Sequence, residues 1–302
     1  MACYYPVSAF KCKDGSVIFN RHRGDVVQDL HLPCGQCDGC RLERARQWAV
    51  RCVHEASLHE ENCFITLTYN EEHVPEYDHL NYDDFQRFMK RLRKKFAPKL
   101  IRFFMCGEYG SKNDRPHYHA CLFGHNFLDR LLFKDSPAGH KIFTSKTLSS
   151  LWSTRDGNSL GFATLGDVNF DSAGYVARYV MKKQNGRGNA IHYQQITDDG
   201  EVIHRPKEFN HMSLKPGIGA NFYKKWTTDI YPHDHTVING KATKPPRYYS
   251  RKLKEDNPEL YEELQFNRHI EALEKAHDNT EERLKVKETV LRSKISFLKR
   301  EL

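Results

Sequence analysis

The run Arg115-Pro-His-Tyr-His-Ala-Cys-Leu-Phe-Gly124 constrains this chain more than any other stretch. Aromatic and apolar residues fill it and Gly124 closes it, which is typical of a β-strand. His117 and His119 are two residues apart, so both imidazoles project from one face of that strand. Two imidazoles on one face supply half of a metal site, although the pattern is short and also occurs as ordinary strand histidines.

A second strand is predicted immediately upstream, at residues 101–108. The turn-rich residues 109–114 join it to the histidine strand, which indicates a hairpin. In such a hairpin the carboxylate of Glu108 approaches the two imidazoles. Glu108 is therefore the third candidate ligand for a divalent ion.

The run that begins at Tyr175 predicts a helix, with either Asp171 or Ser172 as its N-cap. Tyr175 and Tyr179 are four residues apart and share one face of that helix, and Lys182 falls close to the same stripe. A tyrosine oxygen can attack phosphorus while a nearby cation balances the charge, so the pattern suits covalent phosphoryl chemistry. An amphipathic helix with two half-buried tyrosines explains the same spacing.

Together these motifs resemble the HUH endonucleases that initiate rolling-circle replication. The resemblance is to the two-tyrosine initiators of small single-stranded DNA phages of the microvirus and gokushovirus type, and it rests on Cys106-Gly-Glu-Tyr-Gly110, Arg115-Pro-His-Tyr-His119 and Tyr175-Val-Ala-Arg-Tyr-Val180. The family's first motif has a counterpart in Phe64-Ile-Thr-Leu-Thr68, so the resemblance covers residues 63–183. The N-terminal cysteines also fit the gokushovirus branch.

The resemblance implies a fold and a mechanism. The fold is an RRM-like, five-stranded antiparallel sheet with the histidines on a central strand. The ion is Mg²⁺ or Mn²⁺, held by His117, His119 and Glu108, and one tyrosine cuts single-stranded origin DNA to form a 5′-phosphotyrosine link and a free 3′-OH. The second tyrosine takes over after one round of copying, and the host helicase and polymerase are the expected partners.

Three thiols lie close together near the N-terminus, at Cys34, Cys37 and Cys40. A closed structural zinc site needs four ligands, and Cys3 is the first candidate for the fourth, ahead of Cys12 and His31. An iron–sulfur cluster is an alternative, because the same spacing opens a ferredoxin motif. Free buried cysteines are the third interpretation. A structural zinc knuckle is the one we predict.

Composition limits the class of protein. The chain has nine cysteines, an odd number, and three of them have the spacing of metal ligands. Both observations favour a reducing compartment over a disulfide scaffold. The net charge of +8 has the sign expected of a protein that binds phosphates. The start lacks the layout of a signal peptide, and apolar runs are too short for a membrane span. With the resemblance, this predicts a protein of the host bacterial cytoplasm without a membrane partner.

The order of predicted strands and helices indicates an α+β fold, an antiparallel sheet with helices against one face. Three segments are predicted: a cysteine-rich zinc knuckle and basic helix at 1–62, a catalytic domain at 63–240, and a basic linker with a charged tail at 241–302. The glycine-rich residues 212–223 form either a turn or a phosphate-binding loop. The tail is expected to be one long, partly frayed helix.

These observations predict a site-specific enzyme that nicks and rejoins single-stranded DNA. A zinc-dependent DNA-binding regulator without catalysis is the main alternative, and it explains the cysteines and the charge but not the tyrosine pair. A phosphohydrolase of the histidine-triad kind is a further alternative, but it requires a third histidine where this chain has Cys121.

Overall fold

The computed structural model describes residues 3–110, 113–137, 139–182, 193–197 and 199–297, and for residues 178–182 it describes the backbone only. Within them the chain forms two compact units. Residues 3–44 and 262–297 form one, here called the terminal unit, and residues 45–261 form the other, the central unit. The three segments predicted from composition stay a prediction.

The described residues contain fourteen β-strands. They are β1 (Val7–Cys12), β2 (Val17–Ile18), β3 (Val26–Leu32), β4 (Asn62–Thr68), β5 (Arg102–Tyr109), β6 (Pro116–Phe123), β7 (Arg130–Asp135), β8 (Lys141–Ser145), β9 (Ala163–Gly166), β10 (Gln194–Ile196), β11 (Val202–His204), β12 (Phe209–Met212), β13 (Thr236–Ile238) and β14 (Lys241–Thr243).

The same residues contain eight α-helices. They are α1 (Asp38–Ala56), α2 (Tyr82–Lys95), α3 (Lys146–Leu151), α4 (Phe170–Lys182), α5 (Ala220–Ile230), α6 (Arg247–Asp256), α7 (Pro258–Glu274) and α8 (Glu281–Ser296). None of these helices combines the length and the apolar character that crossing a membrane requires.

The central unit is built on one antiparallel sheet, which confirms the α+β class. Its seven strands run in the order β12-β5-β6-β4-β9-β8-β7, so the histidine strand β6 is interior. Four of them, β4, β5, β6 and β9, are the strands predicted from the sequence. The count of five implied by the resemblance is not confirmed, because the β7–β8 hairpin extends one edge and β12 pairs with β5 at the other.

Helices cover both faces of this sheet, so the expectation of helices on one face is wrong. On one face, α2 and α3 bury an apolar core that includes Ile65, Leu67 and Tyr118. On the other, α1 and α4 pack on β5 and β6. Small side chains on α1 and α4, such as Ala49 and Ala173, permit this close approach.

The starts of two helices show how local sequence sets their bounds. Asn81 caps α2 as predicted, since its side-chain oxygen accepts a hydrogen bond from the Asp83 amide at 3.1 Å. Helix α4 begins earlier than predicted. Asn169 precedes it and accepts from the Ser172 amide at 2.8 Å, so neither Asp171 nor Ser172 is the cap.

In the terminal unit, β1 pairs with β2 and β3 in a three-stranded antiparallel sheet. The tail is not one frayed helix: a short 3₁₀ turn at Ala276–Asn279 separates α7 from α8. Helix α8 buries Leu284 and Glu288, and Tyr5 donates a hydrogen bond to Glu288 at 2.6 Å. A helix that buries side chains in this unit is part of its fold.

The glycine-rich residues 212–223 support a buried ion pair in the central unit. Arg102 lies 2.5 Å from the carboxylate of Glu55 and also donates to the carbonyl of Pro216. The amide of Gly219 donates to the other Glu55 oxygen at 2.7 Å, where its φ of +77° suits glycine. This amide therefore stabilises a carboxylate of the protein itself.

Candidate metal centre and nucleophile

The hairpin of β5 and β6 places the three predicted ligands on one face of the sheet. Glu108 lies opposite His117 in the strand register, and Cys106 lies opposite His119. On the other side of β6, Thr66 of β4 lies opposite His119. Because residues opposite each other in an antiparallel pair share a face, the carboxylate and both imidazoles converge.

The three side chains are in direct contact. Glu108 Oε1 is 2.8 Å from His117 Nε2 and 3.2 Å from His119 Nε2. All their ligand atoms lie within 4.8 Å of one another. The Glu108 side chain is 1% exposed and that of His117 is 15% exposed, so the cluster opens to solvent on the His117 side.

Neighbouring groups orient both imidazoles. The Nδ1 atom of His117 lies 3.0 Å from the carbonyl oxygen of Arg115, and since a carbonyl only accepts, Nδ1 carries the proton. The Nδ1 atom of His119 lies 2.9 Å from the hydroxyl of Thr66. In each ring Nε2 is thus the nitrogen that faces Glu108, which is the arrangement of a metal-binding histidine held through its other nitrogen.

The carboxylate of Glu108 is held in its charged form. Burial raises its pKa, but the hydrogen bonds from His117 and His119 and the charges on the two rings outweigh burial and lower it to about 2. A carboxylate with this pKa is ionised at neutral pH and can act as a ligand without first losing a proton.

Tyr175 is the predicted nucleophile that the structure brings to this cluster. Its ring centroid is 5.0 Å from that of His119, with the two planes at 90°. Helix α4 is held over β5 and β6 by Ala173, Val176 and Ala177, which are fully buried, and this leaves Tyr175 half-buried beside the histidine.

The other two predicted catalytic residues fall on the same helix. The backbone of Tyr179 and of Lys182 lies in α4, whereas their side chains lie outside the described part of the chain. Their roles stay predictions. Cys106 and Cys121, predicted to be plain core residues, are buried in the apolar layer beneath α1 and α4.

A second group of potential ligands lies in the terminal unit. The sulfur atoms of Cys3, Cys34, Cys37 and Cys40 all lie within 4.8 Å of one another, and those of Cys34 and Cys40 are 4.0 Å apart. Zinc–sulfur bonds of about 2.3 Å in a tetrahedron place sulfurs roughly 3.8 Å apart, so the group has the size of a zinc site.

The two weaker candidates for the fourth ligand lie elsewhere. Cys12 is buried at the end of β1 and is not in either cluster of potential ligands among the described residues. His31 is exposed on β3. Cys3 is the candidate that the fold brings to the other three thiols.

Backbone amides favour thiolates in this group. The Cys34 amide donates to the sulfur of Cys3 at 3.2 Å, and the Cys37 amide donates to that of Cys34 at 3.4 Å. Burial raises the pKa of Cys34, but the amides of Cys37 and Gln36 lower it to about 7. Burial raises the pKa of Cys40, so that thiol needs a cation nearby to ionise.

The sequence did not reveal how the imidazoles are oriented. Thr66 was predicted only as a strand residue, and the carbonyl of Arg115 carries no side-chain signal. The alternation of Phe64, Thr66 and Thr68 does indicate that the two threonines share a face. That Thr66 lies beside His119 depends on the pairing of β4 with β6, which is a tertiary property.

Comparison with known proteins places these motifs in one family. A sequence profile for replication-associated proteins of the ORF2 type matches residues 62–184, which contain Glu108, both histidines and both tyrosines. Replication-associated protein VP4 of Bdellovibrio phage phiMH2K is 31% identical over 272 residues, covering 87% of this chain and 80% of that protein.

Two further relatives carry similar descriptions. Replication-associated protein ORF2 of Spiroplasma virus 4 is 31% identical over 280 residues, which cover 85% of this chain and 81% of that protein. Replication-associated protein ORF4 of Chlamydia phage 1 is 28% identical over 239 residues, covering 76% of this chain and 56% of that protein. No solved structure is significantly similar to this chain.

Proposed function

This chain belongs to the family of phage replication-associated proteins, and from that premise we propose that it initiates rolling-circle replication by nicking single-stranded origin DNA. The observation that carries the proposal is the position of Tyr175, whose ring lies 5.0 Å from one histidine of a buried Glu-His-His cluster. A potential nucleophile next to a potential metal site is the arrangement that covalent phosphoryl transfer needs.

The donor atoms of the cluster fit a divalent ion. Glu108 offers a carboxylate oxygen, and His117 and His119 offer Nε2 atoms whose ring partners fix their direction. Carboxylate oxygens suit Mg²⁺ and Mn²⁺, and imidazoles favour the transition metal, so the mixed set fits Mn²⁺ at least as well as Mg²⁺. Such an ion, when bound, polarises the scissile phosphate and offsets charge in the transition state.

The side chains around the cluster hold it ready for this ion. Glu108 stays ionised because of its low pKa, and this buried carboxylate supplies negative charge to the site. Thr66 and the Arg115 carbonyl hold the two rings in place before substrate arrives. Preorganised groups of this kind avoid the free energy of rearrangement during the reaction.

A tyrosine performs the cleavage. The phenolic oxygen forms a bond to the phosphorus, the bond from that phosphorus to the 3′ oxygen breaks, and the leaving oxygen takes up a proton as a 3′-OH. A free phenol has a pKa near 10, so a nearby group or water must remove the proton of the attacking tyrosine. The product is a 5′-phosphotyrosine link, and the 3′-OH serves as a primer for a host polymerase.

Rejoining needs a second nucleophile. Tyr179 follows Tyr175 by one helical turn, and residues at this spacing are neighbours on a helix surface. In the proposed cycle one tyrosine holds the first strand while the other cuts the regenerated origin, and Lys182 balances the phosphate charge. The host helicase exposes the template during copying, within the host bacterial cell.

The cysteine group of the terminal unit has a structural role in this proposal. A Zn²⁺ ion would be held by the sulfurs of Cys3, Cys34, Cys37 and Cys40. It would stabilise the terminal unit next to the three-stranded sheet of β1, β2 and β3. Four converging sulfurs with amide donors support a metal site over free thiols. Binding free energy at such a site also stabilises the fold.

A covalent assay tests the proposed activity. The full-length protein is incubated with end-labelled single-stranded DNA of its phage origin in the presence of Mn²⁺, and the products are separated on a denaturing gel. The proposal expects a labelled protein band when the 3′ end of the strand carries the label, and a shorter labelled strand with a free 3′-OH when the 5′ end carries it. A DNA-binding regulator without catalysis would leave the strand intact and the protein unlabelled.

A further inference from the structure

Among the described residues, the part of the metal-bearing face that β9, β8 and β7 form is partly exposed to solvent. Helices α1 and α4 cover β5 and β6, whereas Thr144 of β8 and Thr164 of β9 are half-buried. Thr164 lies opposite Thr66, the residue that contacts His119, so this partly exposed floor begins at the metal centre. On the reverse side of the same strands, Leu165 is buried in the apolar core.

Two phenylalanines stand on this partly exposed floor. Phe133 of β7 and Phe162, which precedes β9, are each 51% exposed, and their ring centroids are 5.6 Å apart. The carbonyl of Phe162 accepts hydrogen bonds from the amide and hydroxyl of Thr68 at 2.9 Å. Thr68 lies opposite His117, and with strands spaced about 4.8 Å apart Phe162 is roughly 10 Å from that histidine.

We propose that this pair, with its floor of threonines, binds unstacked bases of the single strand that flanks the scissile phosphate. The inference rests on the proposed function, because a strand cut at the metal centre must continue in some direction. Toward β5 and β6 that face is covered by helices, so among the described residues the exposed direction leads over β4 and β9 to the phenylalanines.

The chemistry of the surface matches bases more closely than phosphates. Arg130 is paired with Asp167 at 2.9 Å and Lys141 lies opposite Asp135, whereas the ammonium of Lys134 lies 5.6 Å from the Phe133 ring centroid and adds a positive charge beside the pair. Exposed phenyl rings stack with any base, and threonine hydroxyls can donate to or accept from base edges. The site would therefore tolerate many sequences and add affinity beside the cleavage point.

The test compares binding of a fluorescein-labelled oligothymidylate, followed by anisotropy, with that of the same strand carrying abasic positions. We expect Phe133→Ala and Phe162→Ala each to weaken binding on the order of tenfold. Phe162→Trp, which keeps an aromatic face, should bind like wild type. Phe266→Ala, in which an exposed phenylalanine of α7 is removed, serves as the matched control.

Two further readouts identify the contact as stacking. The slope of affinity against salt concentration should not change in the alanine variants, since no charge is lost. The wild type should bind the abasic strand more weakly than the intact oligothymidylate. The variant that combines Phe133→Ala and Phe162→Ala should bind the two strands with equal affinity. Unchanged affinity in the alanine variants, an equal loss on both strands, or no binding by wild type would overturn the proposal.

The covalent assay separates this inference from the proposed function. If wild type forms the adduct while the alanine variants bind normally, base stacking is wrong and nicking stands. If wild type forms no adduct while the alanine variants lose binding as described, nicking is wrong and the aromatic base site stands.

Discussion

Glu108 and His117 lie opposite each other across the β5–β6 hairpin, with 2.8 Å between Glu108 Oε1 and His117 Nε2. A register shift of one residue would turn Glu108 to the other face of the sheet. The turn fixes this register, since the amide of Gly110 donates to the carbonyl of Arg115, whose oxygen also orients His117. This short hairpin therefore positions both the Glu108 carboxylate and the His117 imidazole of the candidate metal site.

The first prediction concerns this cluster. Glu108→Gln keeps the shape of the side chain but removes its charge, so we expect nicking to fall by at least about a hundredfold. Glu201→Gln, at an exposed turn, is the matched control. Nicking at the wild-type rate by Glu108→Gln would exclude this carboxylate as a ligand.

The histidines extend the same prediction. His117→Ala with His119→Ala should abolish nicking and also destabilise the fold by roughly 3 kcal/mol, because the buried Glu108 carboxylate would lose both imidazoles. Adding Glu108→Gln to this double variant should restore much of the stability but none of the activity. Full cleavage by the double variant would refute the metal assignment.

The second prediction concerns the cysteines. Cys3→Ala should remove bound zinc from protein purified without chelators and destabilise the terminal unit. Cys12→Ala replaces a buried cysteine at the end of β1 that lies outside the cluster, and this variant should keep the zinc. Elemental analysis by mass spectrometry gives the result. Iron in place of zinc would indicate a cluster, and the absence of both metals from wild type would show that these are free thiols.

The third prediction is a pH dependence set by His54. Burial lowers the pKa of this ring from 6.5 to about 4. As the pH falls, the unfolded chain takes up the proton before the folded protein does. The contribution of neutral His54 to the free energy of unfolding is therefore complete above pH 6.5 and is lost toward pH 4, by about 3 kcal/mol in all. His54→Phe should lack this loss in urea unfolding at a series of pH values. Parallel curves for the two proteins would contradict the assignment.

The fourth prediction concerns the tail. Leu284 is buried in the terminal unit, so Leu284→Ala should destabilise that unit by about 2–3 kcal/mol and accelerate amide hydrogen exchange in β1 and β3. Leu273→Ala removes an exposed leucine of α7 and should have little effect. Exchange unchanged by Leu284→Ala would show that α8 does not stabilise the strands.

Periodicity and turn chemistry were enough to predict the hairpin, the strands β4, β5, β6 and β9 and the Asn81 cap, because these depend on residues close together in the chain. The cysteine spacing indicated three of the clustered thiols. Spacing alone did not place Cys3, which reaches the cluster through the pairing of β1 with β3.

Other features depend on tertiary contacts that local sequence does not encode. Strand β7 is largely exposed and lacks the alternation that marks a half-buried strand. Strand β12 is short and exists because it pairs with β5. The charged composition of the tail predicted one long, partly frayed helix, whereas α8 buries Leu284 and Glu288. Coverage of both sheet faces likewise follows from how α1 and α4 dock.

The most direct test of the central claim is to identify the residue that carries DNA after cleavage. Trypsin cuts after Arg178 and so separates Tyr175, in the peptide of residues 156–178, from Tyr179, in the peptide of residues 179–182. After nuclease trimming of the adduct, mass spectrometry should find a nucleotide on one or both peptides. Tyr175→Phe with Tyr179→Phe should abolish both. A nucleotide on any other peptide, or an adduct formed by the double variant, would contradict the account.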